Sequence, residues 1–184
     1  QIRDSLFYRG EGYYLNVELL ERYFREFPKL KPKEKIAVET ACWRGYVADF
    51  EIGNDGLFVK NLDSLFDKSN EMCNQNLLSL FPGKKFTWFS GLIRIDDFRG
   101  RFDDEHDESA IFELLEIRDG NLVNHWKFDF LEYNAFKEIL FADFKNTGDY
   151  DMIFSRWQNN NPKMDPAEID RYIFQDIINN VSKI

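Results

Sequence analysis

Few residues in this chain are of a type and spacing that could do chemistry, and Arg44 stands out among them. It sits in "TACWRGYVADFEIGNDGLFV", an otherwise apolar and aromatic run. A guanidinium held there needs a partner, and its forked donors suit a carboxylate or a bound anion. An internal ion pair or a stack against Tyr46 is the simpler expectation. The sharper one is a pocket for an anionic small molecule, with Trp43, Tyr46 and Trp88 as walls around Arg44.

A second group of candidates is the acidic stretch "DDFRGRFDDEHDES" at 96–109. Its oxygens would suit a hard cation, but the spacing is not that of a calcium loop and no bidentate glutamate follows at the required offset. A solvated charged loop is expected instead, with Asp103, Asp104, Glu105, Asp107 and Glu108 as an acidic face for a cationic partner.

The two histidines are His106, in that loop, and His125, in "VNHWKFDF". Strand alternation puts Trp126, Phe128 and Phe130 on the core side and His125, Lys127 and Asp129 on the outer side. No serine or cysteine lies near either histidine in a nucleophile context. Dinucleotide and phosphate loops, zinc spacings and nucleophile elbows do not occur. No catalytic residue, metal site or cofactor is therefore assigned from the sequence. The two cysteines, Cys42 and Cys73, are no disulfide framework and read as small buried hydrophobes in a reducing compartment.

The elements that must position these residues follow from periodicity. "SLFYRGEGYYL" reads as a short strand or turn. "NVELLERYFREFPK" reads as a helix capped by Asn16, with Leu19, Leu20, Tyr23, Phe24 and Phe27 on one stripe and an end at Pro28. A hairpin is expected over 35–62, turning at "GNDG", with Arg44, Tyr46, Ala48, Phe50 and Ile52 on one face of its first strand. A helix over 64–81, a strand through "KFTWFSGLIRI" and a second hairpin turning at Asp119-Gly120 follow. "YNAFKEILFADF" reads as a helix and "DYDMIFSRW" as a short strand or irregular return. Asp165, Pro166 and Glu168 announce a C-terminal helix with a capping box. The expected class is α+β: a mainly antiparallel sheet of about six strands with about four packed helices, one of them C-terminal.

The chain has 184 residues, 43% of them hydrophobic and 17% aromatic, enough for one sizeable core and one domain spanning 1–184. No apolar run is long enough for a membrane span and no leader pattern is visible, although the chain opens at Gln1. The net charge of −9 disfavours nucleic acid and anionic membrane surfaces.

At "TACWRGYVADFEIGNDGLFVKNL" and "LFPGKKFTWFSGLIRI" the chain resembles an uncharacterised family of small bacterial proteins. Its members carry a Trp-Arg-Gly-Tyr strand, here Trp43 to Tyr46, and a Trp-Phe-Ser-Gly strand, here Trp88 to Gly91, ending in Leu92, Arg94 and Ile95. The likeness covers about residues 35–125; the acidic loop 96–109 stands where the family has a glycine-and-aromatic segment. It implies a bacterial, cytoplasmic protein and brings no catalytic residues with it.

Together these readings point to an interaction module with an acidic surface and a basic protein as partner, for which an immunity protein masking a basic toxin is one form. A binder or enzyme for a small anion at Arg44 is the alternative.

Overall fold

The computed structural model describes residues 2–31, 44, 46–54, 56–64, 83, 85–95 and 108–181. Trp43, both cysteines, His106, the helix expected over 64–81 but for its first residue, and most of the acidic loop lie outside them.

Strands β1 (Ser5–Tyr8) and β2 (Glu11–Tyr14) form a hairpin whose turn residues, Arg9 and Gly10, both take positive φ. Such mirror-image turns match the twist of the strands they join. Helix α1 (Leu19–Glu26) then buries Leu19, Leu20, Tyr23 and Phe24, the expected stripe. Two details differ from the sequence reading. Glu18, not Asn16, occupies the cap position and makes no side-chain capping bond, and Phe27 lies beyond the helix and is exposed. Pro28 opens a 3-10 turn, so the helix does stop short of it.

Strands β3 (Tyr46–Gly53) and β4 (Gly56–Ser64) make the second hairpin. β3 buries Tyr46, Ala48, Phe50 and Ile52 and leaves Val47, Asp49 and Glu51 half-buried, which is the expected alternation. Arg44 is in a turn just before β3, not within the strand, yet its side chain is buried. β1 lies parallel to β3, with Leu6 opposite Phe50, and the sheet runs β2-β1-β3-β4. β4 continues to Ser64, the residue at which a helix was expected to begin.

A separate antiparallel sheet is built from β5 (Gly91–Ile95), β6 (Phe112–Arg118) and β7 (Asn121–Phe128). β5 is shorter than the strand expected through "KFTWFSGLIRI": Thr87 and Trp88 form a turn, and Lys85 makes only an isolated bridge to Phe58. Four helices follow. α2 (Phe130–Phe144) starts earlier than expected because Asp129 and Glu132 close a capping box, which takes Phe130 out of the strand. α3 (Gly148–Asn160) replaces the strand or irregular return expected over 149–157. Thr147 accepts a hydrogen bond from the Tyr150 amide, and Asp149 and Asp151 suit the positive end of the helix. The C-terminal helix breaks at Asp176 into α4 (Pro166–Gln175) and α5 (Ile177–Asn180). Asp165 caps α4 by accepting from the Ala167 amide, and Glu168 turns to Arg171.

Among the described residues the chain is thus α+β, with seven strands in two mostly antiparallel sheets and five α-helices including a C-terminal one. No helix among them is long and apolar enough to cross a membrane.

The β5-β6-β7 sheet is the middle layer. Ile93, Ile95, Leu115 and Ile117 join the core shared with the first sheet and α1. Leu92, Phe112 and Leu114 join a second core with Tyr133, Phe144, Ile169, Ile173 and Ile177 of the helices. A sheet covered on both faces carries near-continuous apolar runs, which is why "GLIRI" shows no polar side. The β6–β7 turn locks the layers together: the Leu57 amide donates to the Gly120 carbonyl and the Gly120 amide to the Phe89 carbonyl.

Candidate functional site

Arg44 is held by groups from three segments. Its Nη1 and Nη2 donate to the two carboxylate oxygens of Asp4 at 3.0 and 2.8 Å. Nη2 also donates to the Ile2 carbonyl and Nε to the Tyr46 carbonyl, each at 3.0 Å. Glu18 stands 3.7 Å from Nη1, and the guanidinium lies 5.2 Å from the centre of the Tyr46 ring. The ion pair and the ring stack expected for Arg44 are both present.

Asp4 is 1% exposed and also accepts from the Ala48 amide at 2.7 Å. Burial pushes its carboxyl up to about 6, against the lowering by that amide and by Arg44. The Tyr46 hydroxyl donates to Glu21 at 2.9 Å, and burial together with that carboxylate drives its ionisation far above the usual range. The pair therefore fastens the N-terminal segment to the start of β3 and, through Glu21, to α1.

A cavity of about 400 Å³ opens beside this pair, lined by Arg3, Asn16, Glu18, Asp4 and Arg44 among others. Neither Tyr46 nor Trp88 is among its described lining residues. Trp88 is half-buried against the rings of Tyr23 and Phe86, at centroid distances of 5.6 and 6.0 Å. Of the four expected pocket residues, Arg44 and Tyr46 are together, Trp88 packs into the first core, and Trp43 lies outside the described residues. Two guanidinium groups and two carboxylates give the cavity a mixed character, not that of a cationic bowl.

Of the acidic face, only Glu108 is described, in an exposed turn; Asp103, Asp104, Glu105 and Asp107 lie outside the described residues. Among the described residues no cluster of three or more histidine, cysteine, aspartate or glutamate side chains is placed to hold a metal ion.

His125 is the arrangement that sequence reasoning missed. It was expected on an outer face, yet its side chain is only 13% exposed. Its Nδ1 lies 3.2 Å from the Tyr8 hydroxyl of the other sheet, and its Nε2 2.8 Å from Glu113. Lys127 donates to the second Glu113 oxygen at 2.6 Å. Burial raises the Glu113 carboxyl, but the bonds from Lys127 and His125 outweigh it and hold the group below its ordinary range. This chain of groups joins β1 of the first sheet to β6 and β7 of the second. Cross-strand pairing of Glu113 with Lys127 was a readable signal; the contact with Tyr8, 117 residues away, had none.

Compared with known proteins, the chain matches no family model, no curated protein and no solved structure.

Proposed function

We propose that the chain is a non-enzymatic protein-interaction module that captures a basic partner through an acidic surface, in the manner of an immunity-type protein masking a basic toxin. One observation carries this reading. The chain holds 33 Asp and Glu against 24 Lys and Arg, and many described cations are already matched by its own carboxylates. Lys60 pairs with Glu51, Lys127 with Glu113, Lys145 with Asp170 and Arg118 with Glu116. The surplus that remains is negative, and it sets the field an approaching molecule meets. Such a field steers cationic proteins inward and repels nucleic acid and anionic lipid surfaces. The cysteines, read as reduced, set this interaction in the cytoplasm.

The test is capture from an extract of the native host, with bound proteins identified and the salt varied. Basic proteins released by salt are expected. They should be lost when Asp103, Asp104, Glu105, Asp107 and Glu108 are neutralised together, with the melting curve unchanged. Undiminished capture by that variant, or retention of acidic proteins only, would overturn the reading.

A second reading is a small-anion site beside Arg44, favoured by the cavity that Arg3 and Arg44 line. Asp4 occupies the guanidinium's fork, and Glu18 adds another carboxylate, so an anion would have to displace or outcompete both. Thermal-shift titration with carboxylates and phosphates, on wild type and Arg44→Lys, decides it: no stabilisation by any anion removes its support.

A further inference from the structure

Helix α2 is apolar on two opposite sides, and among the described residues only one of them is packed into a core. Its inner side puts Tyr133 and Phe144 into the second core, with Phe136 and Leu140 against it. On the outer side Leu131 is 76% exposed and Ile139 63% exposed, and Ala135 and Ala142 are exposed between and beyond them. Spacings of four, four and three residues place these side chains in one stripe, about 16 Å long and about 80° wide on the helix.

Carboxylates edge the stripe. At 100° per residue Glu138 falls on one margin and Glu132 and Asp143 on the other, and all three are exposed. The helix has a single cation, Lys137, which is buried on the inner side. A helix that only covers a core carries polar residues across its solvent side; one with a second apolar stripe there has a side left to be covered. Exposed apolar surface rimmed by polar groups marks sites of association.

We propose that the outer stripe of α2 docks an amphipathic helix of the partner, apolar on its contact side and edged with lysine or arginine. This inference rests on the basic-partner reading and gives that partner a place and a shape. Charge complementarity selects the occupant. A second copy of this chain would bring the same carboxylates against these, on a molecule already at −9, and anionic headgroups would meet the same repulsion. A cationic helix neutralises Glu132, Glu138 and Asp143 while its apolar side covers Leu131 and Ile139, which is the helix-in-groove mode of recognition.

The experiment uses the full chain and two labelled model helices, each with leucines along one side, one flanked by lysines and one by glutamates. Fluorescence anisotropy should show the lysine-flanked peptide binding and the glutamate-flanked one not. Leu131→Ser with Ile139→Ser should weaken binding about tenfold or more without altering the melting curve, and Ile139→Ala alone should weaken it less. Glu138→Gln with Asp143→Asn should weaken binding and flatten its salt dependence; Glu132 is spared because it closes the helix cap.

Equal binding by wild type and the Leu131/Ile139 variant overturns the stripe as the dock. If that binding is lost on neutralising 103–108, the basic-partner reading survives elsewhere on the surface; if the lysine-flanked peptide binds none of the proteins, the dock on α2 is overturned, and capture from the host extract alone decides the basic-partner reading. A wild-type dimer in sedimentation that the stripe substitutions disperse would make the occupant a second copy and overturn the proposal as well.

Discussion

Tyr8 of β1 and His125 of β7 meet edge to face across the gap between the two sheets, their ring centroids 5.4 Å apart and the hydroxyl 3.2 Å from Nδ1. His125→Ala removes this contact and the bond to Glu113, and should cost about 1–3 kcal/mol in urea unfolding. Tyr8→Phe should cost about 1 kcal/mol. The double variant should lose less than the sum of the two, because one hydrogen bond is counted in both. Simple additivity would show that the two groups do not communicate.

Removing Arg44 is expected to be worse than removing an ordinary surface charge. Arg44→Met leaves the Asp4 carboxylate buried with the Ala48 amide as its remaining donor among the described residues, and should destabilise by about 3–5 kcal/mol. Arg44→Lys offers a single point charge where two parallel bonds now stand, and should recover only part of that loss. Chemical denaturation of the three proteins checks the order, and equal stability of wild type and Arg44→Met would refute it.

Gly120 is constrained twice. Its φ is +73°, and a Cβ there would sit 2.7 Å from the Phe86 carbonyl oxygen. Gly10 has a similar φ of +84° but open space around it. Gly10→Ala should therefore cost only the backbone strain, about 1–2 kcal/mol. Gly120→Ala adds the clash and should cost about 3 kcal/mol or more. Thermal melts of the two variants separate strain from crowding.

Asp170 gives stability a pH dependence. It accepts from Tyr150 and Lys145, each at 2.6 Å, and so ties α4 to α3 and to the end of α2. Burial raises its carboxyl, but these two donors outweigh burial and hold it below 3.8, while burial and Asp170 push the Tyr150 hydroxyl up to about 12. A depressed carboxyl stabilises the fold above its unfolded pKa, and that contribution fades as the pH falls through the folded value. Asp170→Asn should lose about 1 kcal/mol at neutral pH. The gap to wild type should close as the pH drops below about 4. A gap that persists at the lowest accessible pH would assign the loss to shape rather than charge.

What could be read in the sequence was local. The alternation of Tyr46, Ala48, Phe50 and Ile52, the Asp119-Gly120 turn and the Asp165 cap all act within a few residues, and each is found where it was expected. The segment 149–157 is helical and not the expected strand or irregular return, because a short aromatic run carries no decisive period and the Thr147 cap that settles it lies just upstream. The periodicity of "YNAFKEILFADF" places the helix start at Tyr133, whereas the Asp129–Glu132 box starts it at Phe130, so Leu131 and with it the outer stripe of α2 lie outside what the periodicity shows. Arg44 was known to need a partner, but Asp4 is 40 residues distant, and nothing local names a partner so far away. The parallel β1–β3 pairing and the split into two sheets are likewise products of long-range packing.

The strand trio β5-β6-β7 acts as a party wall between two oily compartments, and an order of loss follows. Detaching the helices would bare Leu92, Phe112 and Leu114 while Ile93, Leu115 and Ile117 stayed sealed against the first sheet. The amides of β6, hydrogen-bonded on both sides, should then be among the slowest in the chain to exchange with deuterium. Those of α2 to α5 should exchange sooner and together, as one hinged cover.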